Sequence, residues 1–220
     1  MSTSDPVILG FDTSAAHCAA ALLSDGRLVA GTQEDMAKGQ AERLMPLIAE
    51  VLEAGGAAPR DLDAIGVGIG PGNFTGVRIA VSAARGLALA LGIPAVGVSR
   101  LEALALGLPR PLAVVEDARR GEVYVQLFQA DRRHEPLLLS PADLPRVLTS
   151  PRVTGSGAAL AADAVRGLDV LAPAMPLAEA IARIAAGRWQ DADLPRPAPL
   201  YLRAADAAPS RDGGPALLPC

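Results

Sequence analysis

The segment Gly66-Val-Gly-Ile-Gly-Pro-Gly-Asn-Phe-Thr-Gly-Val-Arg78 holds the densest chemical signal in the chain. Its glycines allow positive φ and close backbone approach. Thr75 stands where a hydroxyl can cap the first turn of a following helix, whose free N–H groups would stabilise an anion. Two familiar phosphate loops fail on spacing. In a GxGxxG register Pro71 or Asn73 falls at the third glycine, and no Gly-Lys-Ser/Thr is present. An anion-binding loop and a tight strand–helix corner without ligand therefore both stand. A second candidate is Asp12-Thr13-Ser14, an acid and two hydroxyls closing an apolar run. Such a set suits a metal-bound phosphate, and equally a polar turn. An apolar run ending in an acid recurs at Pro111 to Asp117, with Asp12 and Asp117 105 residues apart. Any nucleotide binding is expected to be weak and centred on Asp12, Thr13 and Ser14, with Gly155 and Gly157 facing the same cleft. Lys38 is the chain's one lysine and lies elsewhere.

Other nucleophiles and ligands are scarce. His17 and His134 are the only histidines, and a histidine metal site or triad would need both to converge. Each is expected to be an exposed turn or strand residue. Neither Cys18 nor Cys220 has a charged neighbour that would lower its pKa. Cys18 is expected to be a core residue, Cys220 a tail residue, and no metal site or catalytic residue is expected.

The elements that must position these groups follow from patterning. Val7 to Phe11, Cys18 to Leu23 and Arg27 to Thr32 read as three strands, with Asp25-Gly26 as a hairpin turn. Gln40 to Ala54 carries Leu44, Leu47, Ile48, Val51 and Leu52 at helical spacing and closes on Gly55-Gly56. Pro46 lies within it, so a later start than Gln40 is expected. Strand Ala64 to Gly70, helix Thr75 to Leu91, strand Ala95 to Val98 and helix Arg100 to Leu106 complete a mixed α/β lobe. The recurrence around Asp117 opens a second lobe: strand Glu122 to Phe128, strand Arg132 to Leu139, strand Val153 to Gly157, and helices Ala158 to Val165 and Leu177 to Ala186. The expected organisation is a first lobe over 1–106, a smaller second lobe over 107–203 and a loose tail over 204–220.

At 220 residues, half of them hydrophobic and 20% charged, the chain can bury a core. Alanine accounts for 44 residues and aromatics for six, so the core is built from small and branched side chains rather than stacking platforms. A net charge of −4 lacks the basic excess of a stand-alone nucleic-acid binder, so RNA is expected to be held by a partner. The longest uncharged stretches, Ala64 to Val77 and Gly86 to Ser99, are broken by Gly and Pro and shorter than the ~20 residues of a span. No membrane crossing is expected. The polar, acidic start Met1-Ser-Thr-Ser-Asp-Pro6 is unlike a secretory signal, and the chain is expected to be cytoplasmic.

Several motifs together resemble the TsaB (YeaZ) family. They are Ile8-Leu-Gly-Phe-Asp-Thr-Ser, Glu42-Arg-Leu-Met-Pro46, Gly68-Ile-Gly-Pro-Gly-Asn-Phe-Thr-Gly-Val-Arg78, Gly86-Leu-Ala, Gly97-Val-Ser99, Asp117-Ala-Arg-Arg-Gly-Glu-Val-Tyr124 and Tyr201-Leu-Arg203. The resemblance implies an α/β, actin-like (ASKHA) fold of two ribonuclease-H-like lobes with mixed sheets. It also implies a part in making threonylcarbamoyladenosine beside the tRNA anticodon. In that system TsaD transfers the threonylcarbamoyl group from an adenylate made by TsaC, TsaE joins as an ATPase, and TsaB is the non-catalytic dimerisation subunit. TsaD-type relatives carry a His-x-x-x-His metal pair where this chain has Gln40 and Leu44, and neither replaces an imidazole.

Two functional classes result. One is a scaffold subunit that pairs with TsaD, works with TsaE, forms a homodimer when alone and meets tRNA only within the complex, with no required cofactor. The other is a stand-alone ATPase or small-molecule kinase of the same fold, using ATP or ADP with Mg. A kinase needs a deep cleft between two large lobes with an acid as base, and 220 residues leave room only for minimal lobes, which favours the first. Helix 75–91 supplies the expected partner face. Val77, Val81, Ala84, Ala88 and Leu91 form one apolar stripe, and Ile79, Ala83, Gly86 and Ala90 form another. A helix apolar on two sides is buried on two sides. The expected partner face comprises Leu44, Met45, Ile79, Ala83, Gly86 and Ala90.

Overall fold

The computed structural model describes residues 6–203, so the tail expected over 204–220 and Cys220 lie outside the described residues. The first lobe opens with β1 (Ile8–Asp12), β2 (His17–Ser24) and β3 (Arg27–Asp35), then α1 (Gln40–Ala54), β4 (Ala64–Gly68), α2 (Phe74–Leu91), β5 (Ala95–Val98) and α3 (Arg100–Ala105). The second holds β6 (Leu112–Arg119), β7 (Glu122–Phe128), β8 (Leu137–Leu139), α4 (Leu144–Val147), β9 (Arg152–Thr154), α5 (Ala158–Ala164) and β10 (Asp169–Val170), and α6 (Leu177–Ala186) follows.

The two sheets are built alike. The first runs β3-β2-β1-β4-β5 and the second β10-β9-β6-β7-β8, so β1 and β6 hold equivalent central places. In each, the hairpin pairs are antiparallel and the later strands add in parallel. This is the two-lobed, mixed-sheet actin-like architecture. The hairpin turns agree as well, since Asp25 and Gly26 take φ of 56° and 64° and Arg119, Arg120 and Gly121 take 59°, 55° and 75°. The third strand of the second lobe is shorter than Arg132 to Leu139. Only Leu137–Leu139 pairs with β7, after a bridge between Phe128 and Arg133.

Helix α1 starts at Gln40 despite Pro46, which lies on its exposed side, where water can take the carbonyl that proline leaves without a donor. Its apolar stripe packs with Leu9, Phe11, Ile65 and Val67. Arg43 on α1 holds Glu34 of β3 and Glu50 of its own helix, at 2.8 Å and 2.7 Å. Helix α2 is capped by Asn73, whose Oδ1 accepts from Gly76 N–H at 3.0 Å; Thr75, expected as the cap, is already inside the helix. Asn73 precedes the first helical residue and Thr75 follows it, and the capping oxygen must come from outside. At 18 residues α2 is, by length and composition alone, apolar enough to cross a membrane, which the uncharged stretches did not show. Its Val77, Ala80, Val81 and Ala84 are buried within its own lobe.

Helix α6, placed by sequence in the second lobe, packs on β1, β4 and β2 of the first. Glycines make that approach possible: a Cβ at Gly10 would sit 2.7 Å from the Ala182 Cβ, and one at Gly66 2.8 Å from the Ala185 Cβ. The core around α6 draws Ile8, Ala64 and Leu101 from one lobe and Leu112, Val114 and Phe128 from the other. Beyond α6 the chain returns across the first lobe, with Leu200 N–H donating to Ile69 O at 2.8 Å and Arg85 Nε to Pro197 O at 2.8 Å.

Candidate functional site

A cleft of about 860 Å³ opens between the lobes, in the size range of small-molecule sites. Its walls include Ser14, Gly72 and Phe74 of the first lobe, Glu116, Arg119, Tyr124 and Ser156 of the second, and Tyr201 and Arg203 of the returning segment. Phe74 and Tyr201 stack with ring centroids 4.9 Å apart, and the Arg78 guanidinium lies 3.8 Å over the Phe74 ring while its Nε donates to the Tyr201 hydroxyl. Arg203 pairs with Glu122, so the returning segment reaches the second lobe.

Asp12, Thr13 and Ser14 sit beside the cleft, but all three are fully buried and bonded inward. The Thr13 hydroxyl donates to Gly76 O at 2.7 Å. The Ser14 amide and hydroxyl both donate to Asp12 Oδ1, at 2.9 Å and 2.8 Å. The glycine loop docks on this turn. A Cβ at Gly72 would stand 2.2 Å from Ser14 O, one at Gly76 would stand 1.9 Å from Thr13 O, and Asn73 N–H donates to Ser14 O at 2.6 Å. These contacts describe a close backbone corner, and Pro71, Gly72 and Asn73 of the same loop line the cleft. Gly155 and Gly157 serve strand packing in the same way, with Gly157 N–H donating to Val115 O at 2.9 Å. Neither lines the cleft; Ser156 between them does. Of the expected nucleotide set of Asp12, Thr13, Ser14, Gly155 and Gly157, only Ser14 lines the cleft, and the Thr13 hydroxyl, the Ser14 hydroxyl and Asp12 Oδ1 are engaged in bonds within the protein.

His17 corrects an expectation. It is buried, not exposed, and its Nε2 is 2.7 Å from Asp12 Oδ1. Burial pushes the Asp12 pKa up, but the hydrogen bond from His17 and the nearby charge of Arg100 outweigh it and hold the carboxyl below its usual range.

The second lobe's acid is also different from the one expected. Asp117 is exposed, whereas Glu116 is buried and points to the middle of the molecule. Glu116 Oε1 accepts from Ser156 N–H at 2.7 Å and its Oε2 from Arg100 Nε at 2.6 Å. Arg100 also places Nη1 3.8 Å from Asp12 Oδ1. Burial disfavours its charge, but Glu116 and Asp12 more than offset that and raise its pKa. The residues therefore do not fit a magnesium nucleotide: a guanidinium already lies between the two acids. Among the described residues no group of three or more His, Cys, Asp or Glu side chains could hold a metal ion. Cys18 is buried, and its thiol is pushed up to about 11 by burial first and then by Glu34, so it is no nucleophile at neutral pH.

The residues expected to form a partner face lie on α1 and α2 of the first lobe. Met45 is 45% exposed, Gly86 and Ala90 are exposed, and Ile79 and Ala83 are half-buried. Leu89, 85% exposed, extends the patch and was missed because it falls on neither stripe. Leu44 does not belong to it. At 1% exposure it packs inside its own lobe, on the same helix stripe as Leu47, Ile48 and Val51, three, four and seven residues further on. Gln40, at the start of α1, donates from Nε2 to Met36 O at 3.1 Å.

Comparison with known proteins places this geometry. The family model of TsaD, tRNA N6-adenosine threonylcarbamoyltransferase, matches residues 33–135. The tRNA threonylcarbamoyladenosine biosynthesis protein TsaB of Escherichia coli is 39% identical over 130 residues, 56% of this chain and 55% of that protein. The chain thus aligns with about half the length of that curated relative. An uncharacterized protein of Mycobacterium tuberculosis is 37% identical over 174 residues, 79% of each chain. Among solved structures, YeaZ from Pseudomonas aeruginosa superposes with a TM-score of 0.73 at 30% identity, over 90% of this chain and all of that one.

Proposed function

Because the chain belongs to the TsaB (YeaZ) family, we propose that it acts in tRNA threonylcarbamoyladenosine biosynthesis as a non-catalytic dimerisation subunit that pairs with TsaD. The observation that carries this reading is the face of α2 where Gly86, Leu89 and Ala90 are exposed and Ile79 and Ala83 are half-buried, together with the exposed Met45 of α1. Small residues let a second helix approach toward the short end of the 8–10 Å interaxial range. The TsaD family match spans residues 33–135 and so includes both helices, which gives the partner an equivalent pair. Two related chains can then pack like with like about a pseudo-twofold axis, and a homodimer uses the same face when the partner is absent. TsaE joins this pair, and tRNA is held by the assembly, in keeping with a net charge of −4. The subunit requires no cofactor and works in the cytoplasm.

Reconstitution tests the reading. Purified TsaD and TsaE, supplied with threonylcarbamoyl-adenylate and tRNA, are expected to modify the tRNA only when this chain is added. The chain alone is expected neither to modify tRNA nor to release phosphate from ATP. Full modification without it, or phosphate release by it alone, would overturn the assignment, the latter in favour of a stand-alone ATPase.

A further inference from the structure

We propose that Arg100 is a built-in cation, standing between Asp12 and Glu116 where a divalent metal would stand, clasping the two lobes and closing the cleft to metal-bound phosphates. The inference concerns the cleft and does not depend on the partner face. Asp12 ends β1 and Glu116 lies near the end of β6, the equivalent central strands of the two sheets. Two buried carboxylates converging from opposite walls are hard oxygen donors of the kind a divalent cation takes. Here the space between them holds a guanidinium instead, 2.6 Å from Glu116 and 3.8 Å from Asp12.

The surroundings fix Arg100 in that place. Its amide donates to Gly70 O at 2.7 Å, and it is the first residue of α3, which Ser99 caps through Leu101 N–H. Both oxygens of Glu116 are taken, by Ser156 and by Arg100 itself. On the other side, Asp12 Oδ1 serves Ser14 and His17. Asp12 Oδ2 and Arg100 Nη1 are buried with no hydrogen-bond partner. The clasp is therefore tight at Glu116 and purely electrostatic at Asp12. A metal ion would offer coordination positions to phosphate oxygens, whereas a guanidinium coordinates nothing, and this one has its Nε given to Glu116 and its Nη1 buried beside Asp12.

The test is a thermal-melting series with the full chain, its Arg100→Ala variant and the Arg100→Ala/Glu116→Gln double variant, each with Mg²⁺, Ca²⁺ or Na⁺ at matched ionic strength. The wild-type midpoint should be indifferent to the divalent ions, and calorimetry should find no binding of Mg-ATP. Arg100→Ala should melt lower and regain most of the loss with millimolar Mg²⁺ or Ca²⁺ but not with Na⁺. The double variant should lose that response. If Arg100→Ala does not fold, Arg100→Gln takes its place, and the wild-type titration is decisive if neither folds. Micromolar Mg-ATP binding by the wild type, or a folded Arg100 variant no more responsive to divalent ions than the wild type, would overturn the proposal.

Discussion

His17 Nε2 lies 2.7 Å from Asp12 Oδ1, a contact closed off from solvent that joins the start of β2 to the end of β1. Loss of this donor leaves a buried carboxylate with one fewer partner. His17→Ala is expected to lower unfolding free energy by about 2 kcal/mol, the usual scale for a hydrogen bond to a charged group. Urea denaturation at neutral pH measures it, and a loss no larger than that of a His134→Ala change, at a half-buried position, would contradict the role.

Asp12 also makes a pH prediction. Its carboxyl is more acidic folded than unfolded, so the native state binds fewer protons near that range. The stability it contributes is present above the ordinary aspartate value of about 4 and is lost as pH falls through the lowered folded value. The wild type should therefore lose more stability between roughly pH 5 and 2 than Asp12→Asn does. Parallel curves for the two proteins would show that the carboxylate is not specially held.

Two glycines of α2 should respond in opposite ways. Gly76→Ala forces a Cβ to within 1.9 Å of Thr13 O, while nothing lies within 4 Å of a Cβ at Gly86. The first change should cost about 3 kcal/mol or more by overpacking. In the isolated chain the second should stabilise by up to about 1 kcal/mol, since alanine suits a helix interior better. Chemical denaturation of both variants checks the contrast.

The cap of α2 is a finer test. Asn73→Ala should cost about 1 kcal/mol, and Thr75→Ala less than about 0.5 kcal/mol. The reverse order would return the capping role to Thr75.

Much of the scaffold was legible because its signals are local. The Asp25-Gly26 turn, the stripe of α1, the two-sided apolarity of α2 and the repeated strand-and-acid unit each lie within a short window of chain. The site was less so. Strand β6 is buried through Leu112, Ala113, Val114, Val115 and Glu116, so its apolar run carries no alternation to show which acid turns inward. Strand phase picks Glu116 over Asp117, and a shift by one residue reverses the faces. His17 and Arg100 gain their importance from partners brought to them by the fold, five and 16 residues away or more, with no local pattern to mark them. Leu44 was misplaced because spacing defines a stripe but not which neighbour covers it.

The α2 face can be tested most directly by sedimentation velocity of the chain mixed with TsaD, comparing wild type with Ala83→Glu and with Gly86→Glu. Gly86 offers a position where a side chain meets nothing within 4 Å in its own lobe, so a folded variant is expected there even if Ala83→Glu unfolds. The wild type should sediment as a heterodimer, and alone as a homodimer. The variants should remain folded monomers that no longer capture TsaD. Folded variants that still form both assemblies at wild-type concentrations would contradict the account.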